Sequence, residues 1–149
     1  MHAGRVQTPP PLLMDLADVL RIANQKFGYT ALRTLEIIQD LYLKKFVTYP
    51  RTSSRYITLD EILLMHKSFD VLKERFPNLA ANGDKSLVNE KNSRIVNPAK
   101  IVDHHALLPE AVIASDLSQD EENVYMIIVE RFFTQFQQPL QYTQINIKT

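Results

Sequence analysis

The sequence predicts a mainly α-helical fold with a few short strands. In four stretches apolar residues recur every three or four positions, the spacing of one face of an α-helix. Two of these stretches begin with a capping box, in which Ser or Thr is followed three positions later by Glu. Strand-like composition is confined to short runs such as residues 46–49 and 142–147. Helices are therefore expected to form most of the core.

The first two helices are predicted between residues 12 and 45. The first follows a stiff run of three prolines and ends at Gly28, a residue free to adopt positive φ. Thr30 is expected to cap the second, and Lys44 and Lys45 at its end complement the negative end of the helix dipole. Two helices, a tight turn and a short strand resemble a helix-turn-helix layout, which alone is weak evidence for nucleic-acid binding.

Two further helices are predicted from their capping boxes. Residues 58–61 open a third helix that is expected to run until Pro77, and residues 78–94 form a polar connector. Residues 118–121 open a long helix that Pro139 is expected to end. The run 142–147 alternates like a strand that has no partner within the chain.

Composition bounds the function. A chain of 149 residues fits one domain, and its 17 basic and 17 acidic residues cancel, which argues against nucleic-acid binding by bulk charge but allows a local basic site. The lack of cysteine excludes a disulfide framework and a thiolate metal site. We find neither an apolar run of membrane-spanning length nor a signal-peptide core, so a cytoplasmic location is expected. Both ends look cut, as in an excised piece.

One basic window suggests a phosphate site. Residues 44–55 contain four cations and no acid, with hydroxyl side chains and Tyr49 between them. A phosphodiester is bound well by a forked guanidinium and hydroxyl donors where carboxylates are excluded. A phenol with the ordinary pKa of about 10 is a poor nucleophile, and a nearby guanidinium helps by stabilising charge on the phosphorus. Composition alone favours a half-buried packing role for this tyrosine.

The second constellation is Asp103-His104-His105. Two adjacent histidines after an apolar run can bind a metal or donate to a phosphate, although such a pair is more commonly a surface feature at a strand end. The two other histidines, His2 and His66, look incidental.

A family resemblance changes the weight of these motifs. The matches occur in one order over residues 9 to about 143, and the chain resembles type IA DNA topoisomerases, nearest to the bacterial topoisomerase III group. The matching stretches are Pro10-Pro11-Leu12-Leu13, Asp15-Leu16, Ala23-Asn24, Phe27-Gly28-Tyr29, Leu35-Glu36, Leu41-Tyr42, Thr48-Tyr49-Pro50-Arg51-Thr52, Asp103-His104-His105-Ala106-Leu107-Leu108-Pro109, Leu117-Ser118, Asp120-Glu121, Tyr125, Arg131-Phe132 and Gln135-Phe136.

The resemblance implies roles for individual residues. The active-site tyrosine of the family falls on Tyr49, its phosphate-binding arginine on Arg51 and its active-site histidine on His104. Tyr49 is then expected to attack a phosphate of single-stranded DNA and to become linked to the 5′ phosphate, with religation that needs no ATP. The weaker candidates for contacts to DNA are Lys45, Thr52, Ser53, Arg55 and His105.

The resemblance also implies a division into domains. Residues 9–140 resemble the tyrosine-bearing third domain, with a helix-turn-helix fold like that of the catabolite activator protein. Residues 1–8 are interpreted as a tag or a remnant of the arch domain, and residues 141–149 as the start of the return strand toward the arch. The Toprim domain, which binds Mg²⁺ through an acidic cluster, has no counterpart in the sequence. We therefore expect no cofactor here and no relaxation activity from the chain alone.

Three departures from the family pattern stand out. Ser53 replaces the aspartate that commonly follows Arg-Thr, which removes a carboxylate beside the site. Glu110 replaces a threonine after Pro109 and places a negative charge near the expected path of DNA. Residues 4–9 resemble a stretch that normally lies much earlier in the family, relative to the Pro-Pro-Leu-Leu run.

Two alternatives remain at the level of sequence. One is a metal-dependent phosphoesterase built on Asp103-His104-His105, although the other acids lie mostly on helix faces. The other is a non-catalytic helix-turn-helix adaptor, although the second helix, residues 31–45, carries Glu36 and Asp40 as well as cations.

Overall fold

A computed structural model of the chain describes residues 8–139. Five α-helices occur within this range: α1 (Leu16–Phe27), α2 (Ala31–Leu43), α3 (Ile62–Leu72), α4 (Pro77–Ala80) and α5 (Gln119–Thr134). Short 3-10 turns lie at Leu59–Glu61, Lys85–Leu87 and Pro98–Lys100. The prediction of a mainly α-helical fold is confirmed. The helix-turn-helix assignment and the domain boundaries remain predictions, and the strand expected at residues 142–147 lies outside the described residues.

The other predicted strand is wrong. Residues 46–49 form no named strand, and between residues 8 and 139 extended pairing is limited to the isolated bridges Met14–Leu107, Val47–Pro109 and Ile57–Val96. The pairing at Val47 and Pro109 does not grow into a longer strand, because Pro50 has no N–H to donate at the next bonded position and the Ala106 N–H donates to Tyr56 O instead.

Helix α1 is closed at both ends by its own sequence. Asp15 is the N-cap and forms a reciprocal capping box with Asp18, in which each side chain accepts from the backbone N–H of the other residue. Gly28 has φ +73° and ends the helix, as predicted from its conformational freedom. The sequence interpretation missed the Asp15 box because it has aspartate where the usual pattern has Ser and Glu.

The acidic start of α1 anchors the segment that follows Tyr49. Arg55 donates to Asp18 through Nε at 2.7 Å and through Nη2 at 2.9 Å, and it lies 3.7 Å from Asp15. Burial raises the pKa of Asp18, but hydrogen bonds from Arg55 and from the Asp15 backbone outweigh it and lower the pKa to about 2. Burial raises the pKa of Asp15. The ion pair thus joins α1 to the window of residues 44–55.

Helix α2 starts at the predicted cap and ends in a Schellman motif. The Thr30 side chain accepts from the Arg33 backbone. At the other end the Lys45 N–H donates to Tyr42 O and the Phe46 N–H to Leu41 O, the two bonds that define the motif. Lys45 occupies the left-handed position with φ +66°, which costs a non-glycine residue about 1 kcal/mol.

Helix α3 is shorter than predicted. It ends at Leu72, and Pro77 begins α4 instead of stopping α3. A residue before proline is pushed away from helical geometry, and Phe76 accordingly has φ −120° and ψ 60°. The residues between the helices turn because the N–H groups of Arg75 and Phe76 both donate to Leu72 O. The connector of residues 78–94 contains a 3-10 turn and part of α4.

Helix α5 forms the centre of the core. The predicted Ser118–Glu121 capping box is present, and the helix ends at Thr134, five residues before the proline that was expected to end it. Its buried face packs against α1, α2 and α4. The apolar side chains predicted from the spacing are all buried: Val124, Ile127, Ile128, Phe132 and Phe133, with Phe136 just beyond the helix. Tyr125 and Val129 are buried on the same helix as well.

The acids in the first turn of α5 also fix α2. Asp120 accepts from Tyr29 at 2.7 Å and from Arg33 at 3.1 Å, and Glu121 accepts from Lys44 at 2.7 Å. Both ends of α2 are therefore tied to one turn of α5. Within residues 8–139, no helix is long and apolar enough to cross a membrane.

The low pKa of Asp18 predicts a specific acid sensitivity. A carboxyl group whose folded pKa is depressed stabilises the fold above its unfolded pKa, and this contribution is lost as the pH falls from about 4 to 2. Asp15 has a raised pKa, so its contribution to stability changes with pH in the opposite direction and makes the free energy of unfolding depend less steeply on pH. We expect Asp18→Asn to remove about 1 kcal/mol of this pH dependence, measured as the free energy of unfolding in urea. Asp40→Asn, on the exposed side of α2, is the control, and parallel curves for Asp18→Asn and the unmodified chain would contradict the prediction.

Candidate active site

The site is built where two distant segments meet in antiparallel register. The Thr48 N–H donates to Leu108 O at 2.9 Å, and the Leu108 N–H donates to the Thr48 hydroxyl at 3.0 Å. The Glu110 N–H donates to Phe46 O at 3.0 Å. The Pro109 carbonyl faces away from residues 46–49 and accepts from Ser68 of α3, while beyond Thr48 the ladder ends because Pro50 has no N–H to donate and the Ala106 N–H donates to Tyr56 O. These paired segments, residues 46–49 and 107–110, place Tyr49 at one end and Glu110 at the other.

Tyr49 is 37% exposed and lies between two rings. The centroid of its ring is 4.4 Å from that of His104, with the planes inclined by 46°. Tyr42 from the end of α2 makes an edge contact at 5.4 Å. The structure therefore brings the predicted nucleophile and the predicted histidine together although they are 55 positions apart in the sequence. The contact of Tyr42 with Tyr49 was missed, although Leu41-Tyr42 is one of the stretches that carry the family resemblance, because the spacing placed Tyr42 on the buried face of α2.

Thr52 connects the Tyr49 segment to the His104 segment. Its hydroxyl donates to the His104 carbonyl at 2.9 Å and accepts from the Ser54 backbone N–H at 3.0 Å. Its own carbonyl accepts from the Leu16 N–H at the start of α1. Thr52 is only 7% exposed. One buried side chain thus fixes the position of the backbone that carries the histidine.

The cations of the window differ in their surroundings. Within the part of the chain that the structure describes, Arg51 and Lys45 are exposed and have no ion pair. Arg55 is held by Asp18, an ion pair that the sequence interpretation missed because the two residues are 37 positions apart. Ser53 is exposed. The predicted contacts of these residues to DNA, and that of Thr52, remain predictions.

His105 and Glu110 lie close enough to interact electrostatically. His105 Nδ1 donates to the Ala106 carbonyl at 2.7 Å. Burial raises the pKa of Glu110, and the charge of His105 acts in the opposite direction. The negative charge that Glu110 adds beside the expected DNA path is therefore more easily neutralised than that of an exposed glutamate.

The Asp103-His104-His105 motif does not form a metal centre in this arrangement. No group of three His, Asp or Glu side chains that could hold a metal occurs in residues 8–139. The His104 ring packs on Tyr49, and the Nδ1 of His105 is bonded to a backbone carbonyl. In the part of the chain that the structure describes, the phosphoesterase alternative therefore lacks the ligand set that it needs, and the residues there do not fit a resident Mg²⁺ either.

Comparison with known proteins gives consistent matches. A family model described as DNA topoisomerase matches residues 1–149. DNA topoisomerase 3 of Shouchella clausii (strain KSM-K16) is 41% identical over 143 residues, which cover 93% of this chain and 20% of that protein. DNA topoisomerase 3 of Bacillus subtilis (strain 168) is 33% identical over 147 residues, covering 92% of the chain and 19% of that protein. The protein of the same name from Bacillus anthracis is 34% identical over 149 residues.

The chain spans about a fifth of the length of these curated relatives. The matches run along nearly the whole chain, including the region of Tyr49 and His104, and they confirm the resemblance drawn from its motifs. The chain belongs to the DNA topoisomerase family, in its type IA, topoisomerase III-like branch.

Proposed function

We propose that this domain carries the strand-cutting tyrosine of a type IA topoisomerase. The observation that supports the proposal best is the contact between His104 and the exposed ring of Tyr49, which lies within a sequence window that contains no acid. The proposed substrate is single-stranded DNA, as the family resemblance implies.

The proposed step is a reversible transesterification. Tyr49 Oη gives up its proton to solvent and forms a bond to the phosphorus while the bond from phosphorus to O3′ breaks, and the departing O3′ takes up a proton, so the proton count is unchanged. The product is a 5′-phosphotyrosyl link and a free 3′ hydroxyl, which later attacks the phosphorus and reseals the strand. Both steps exchange one phosphodiester for another, so no ATP is consumed.

Arg51 and His104 have distinct proposed roles. Arg51 is exposed and has no ion pair within residues 8–139, so its guanidinium is available to bind two oxygens of the scissile phosphate. His104 donates a hydrogen bond to the phosphate from beside the attacking ring. Lys45, Ser53 and His105 are proposed to contact the neighbouring backbone. Thr52 is bonded to His104, and Arg55 is bonded to Asp18. We therefore propose that these two residues position the Tyr49 segment and do not contact DNA directly.

The complete enzyme is proposed to need parts outside this chain. A Toprim domain would bind Mg²⁺, which assists phosphoryl transfer by neutralising charge on the phosphate oxygens. An arch domain would let this domain move away so that a second strand can pass. We propose that the chain alone does not relax supercoiled DNA, and that the complete protein works in the cytoplasm.

The structure gives less support to the adaptor alternative than the sequence does. A recognition helix presents its cations to the major groove. Arg33, the cation within α2, and Lys44, its C-cap residue, are instead paired with Asp120 and Glu121 of α5. Sequence-specific duplex binding that survives Tyr49→Phe would nevertheless favour the adaptor.

The cleavage proposal is tested by replacing the matching region of the Shouchella clausii DNA topoisomerase 3 with this chain. Incubated with Mg²⁺ and a 3′-labelled single-stranded oligonucleotide, the chimera is expected to yield a labelled protein band on a denaturing gel, because the tyrosine retains the 5′ phosphate. A 5′-labelled oligonucleotide should yield only a shortened free strand.

In this assay Tyr49→Phe should abolish the band, since the ring remains but the nucleophilic oxygen is lost. Tyr56→Phe, which removes a phenol oxygen elsewhere, should retain it. The chain without the other domains should give no band. A persistent adduct in Tyr49→Phe, or label retained from the 5′ end, would contradict the proposal.

The hydrogen bond from Thr52 to the His104 carbonyl predicts that Thr52 affects the rate of cleavage indirectly, by positioning His104. Thr52→Val keeps the shape but removes two buried hydrogen bonds, a change that costs about 1–3 kcal/mol. We expect the single-turnover rate of adduct formation in the chimera to fall about tenfold, with little change in affinity for the oligonucleotide. Thr52→Ser, which retains the hydroxyl, should restore most of the rate. A loss of affinity equal to the loss of rate would instead support a direct contact to DNA.

A further inference from the structure

A cleft of about 480 Å³ opens at the end of the paired segments opposite to Tyr49. We call it the lysine groove. Its charged side chains are three lysines and one glutamate, on an apolar floor that includes Leu64 and Val112; the groove is lined by Lys44, Lys45, Phe46, Lys67 and Glu110. Lys44 is bonded to Glu121, whereas Lys45 and Lys67 are exposed and have no ion pair in the described part of the chain.

Lys45 is the most informative residue of the groove. It occupies the left-handed position of the Schellman motif that ends α2, where glycine would be free of strain. A strained residue is a reason to look for a function at its position. Here the strained side chain is a cation on the rim of a basic cleft.

The groove and the proposed cleavage site lie at opposite ends of one short paired segment. An extended chain advances about 3.3 Å per residue, so the three steps from Phe46, which lines the groove, to Tyr49 span about 10 Å. Thr48 and Leu108 are bonded to each other between these two ends. A neighbouring phosphate of a strand held at Tyr49 is therefore close enough to reach the groove.

We propose that the lysine groove binds the phosphate backbone of the single DNA strand that Tyr49 cuts, beside the cleaved phosphate. This inference rests on the proposed function of Tyr49. Cations that follow a backbone beside an aromatic surface are the common design of sites for single strands, and the half-buried Phe46 ring supplies such a surface. Glu110 weakens the attraction, since it is the carboxylate that lines the groove.

The test measures binding of a fluorescent single-stranded oligonucleotide to the chain by anisotropy, at several salt concentrations. Lys45→Gly is expected to raise the melting temperature, because it relieves the left-handed strain, and to weaken binding about threefold. Lys67→Ala should weaken it by a similar factor, and each variant should reduce the salt slope by about 0.7. Glu110→Gln should strengthen binding about threefold.

Lys91→Ala, an exposed lysine of the connector, is the matched control and should bind like the unmodified chain. The proposal is overturned if the unmodified chain does not bind at low salt, if Lys45→Gly and Lys67→Ala bind normally, or if Lys91→Ala weakens binding equally. Equal losses with a duplex oligonucleotide would overturn the assignment to a single strand.

Arg51→Ala in the same assay separates the two proposals. Weaker binding by Arg51→Ala alone would overturn the groove and leave the cleavage site intact. Weaker binding by the lysine variants alone would support the groove and count against a phosphate site at Arg51.

Discussion

The pairing of residues 46–49 with residues 107–110 is the interaction on which the site depends. Segments about sixty positions apart are held by three hydrogen bonds, one of which uses the Thr48 hydroxyl in place of a backbone carbonyl. Because Pro50 has no N–H to donate and the Ala106 N–H is taken by Tyr56 O, the pairing stays short. The short pairing lets the chain turn away at once, so that the rings of Tyr49 and His104 meet at the surface instead of lying within a sheet.

The helices around this pairing act as its support. Helix α5 fills the core with aromatic side chains, while the acids of its first turn hold both ends of α2, the helix that leads into the Tyr49 segment. The start of α1 holds the other end of that segment through Asp18 and Arg55. Tyr49, the proposed nucleophile, therefore lies on a short loop whose two sides are fixed to different helices. Such support restricts the geometry of a reactive side chain before any DNA arrives.

Local rules predicted the local features. Gly28, Thr30 and the Ser118–Glu121 capping box lie where the sequence indicated, because a helix end is decided by residues within one turn of it, and the Thr58–Glu61 box is present but caps the 3-10 turn Leu59–Glu61 that precedes α3. The apolar face of α5 followed from its spacing in the same way. The early end of α3 was not predicted, because the effect of Pro77 acts through the residue before it and a turn had already begun at Leu72.

The parts of the site that the sequence did not predict depend on contacts across long separations. The bond from Thr52 to His104 and the ion pair from Arg55 to Asp18 join residues 52 and 37 positions apart. A basic window marks where cations are concentrated, but it does not show which of them the fold neutralises. The family resemblance selected Tyr49, Arg51 and His104, and the structure brings the first and the last of these into contact.

The central claim is that the fold of this chain alone brings Tyr49 and His104 together. The most direct measurement is a nuclear Overhauser spectrum of the chain with selectively labelled tyrosine and histidine. Ring centroids 4.4 Å apart predict strong cross peaks between the aromatic protons of Tyr49 and those of His104. A folded chain that shows no such cross peaks would contradict the claim.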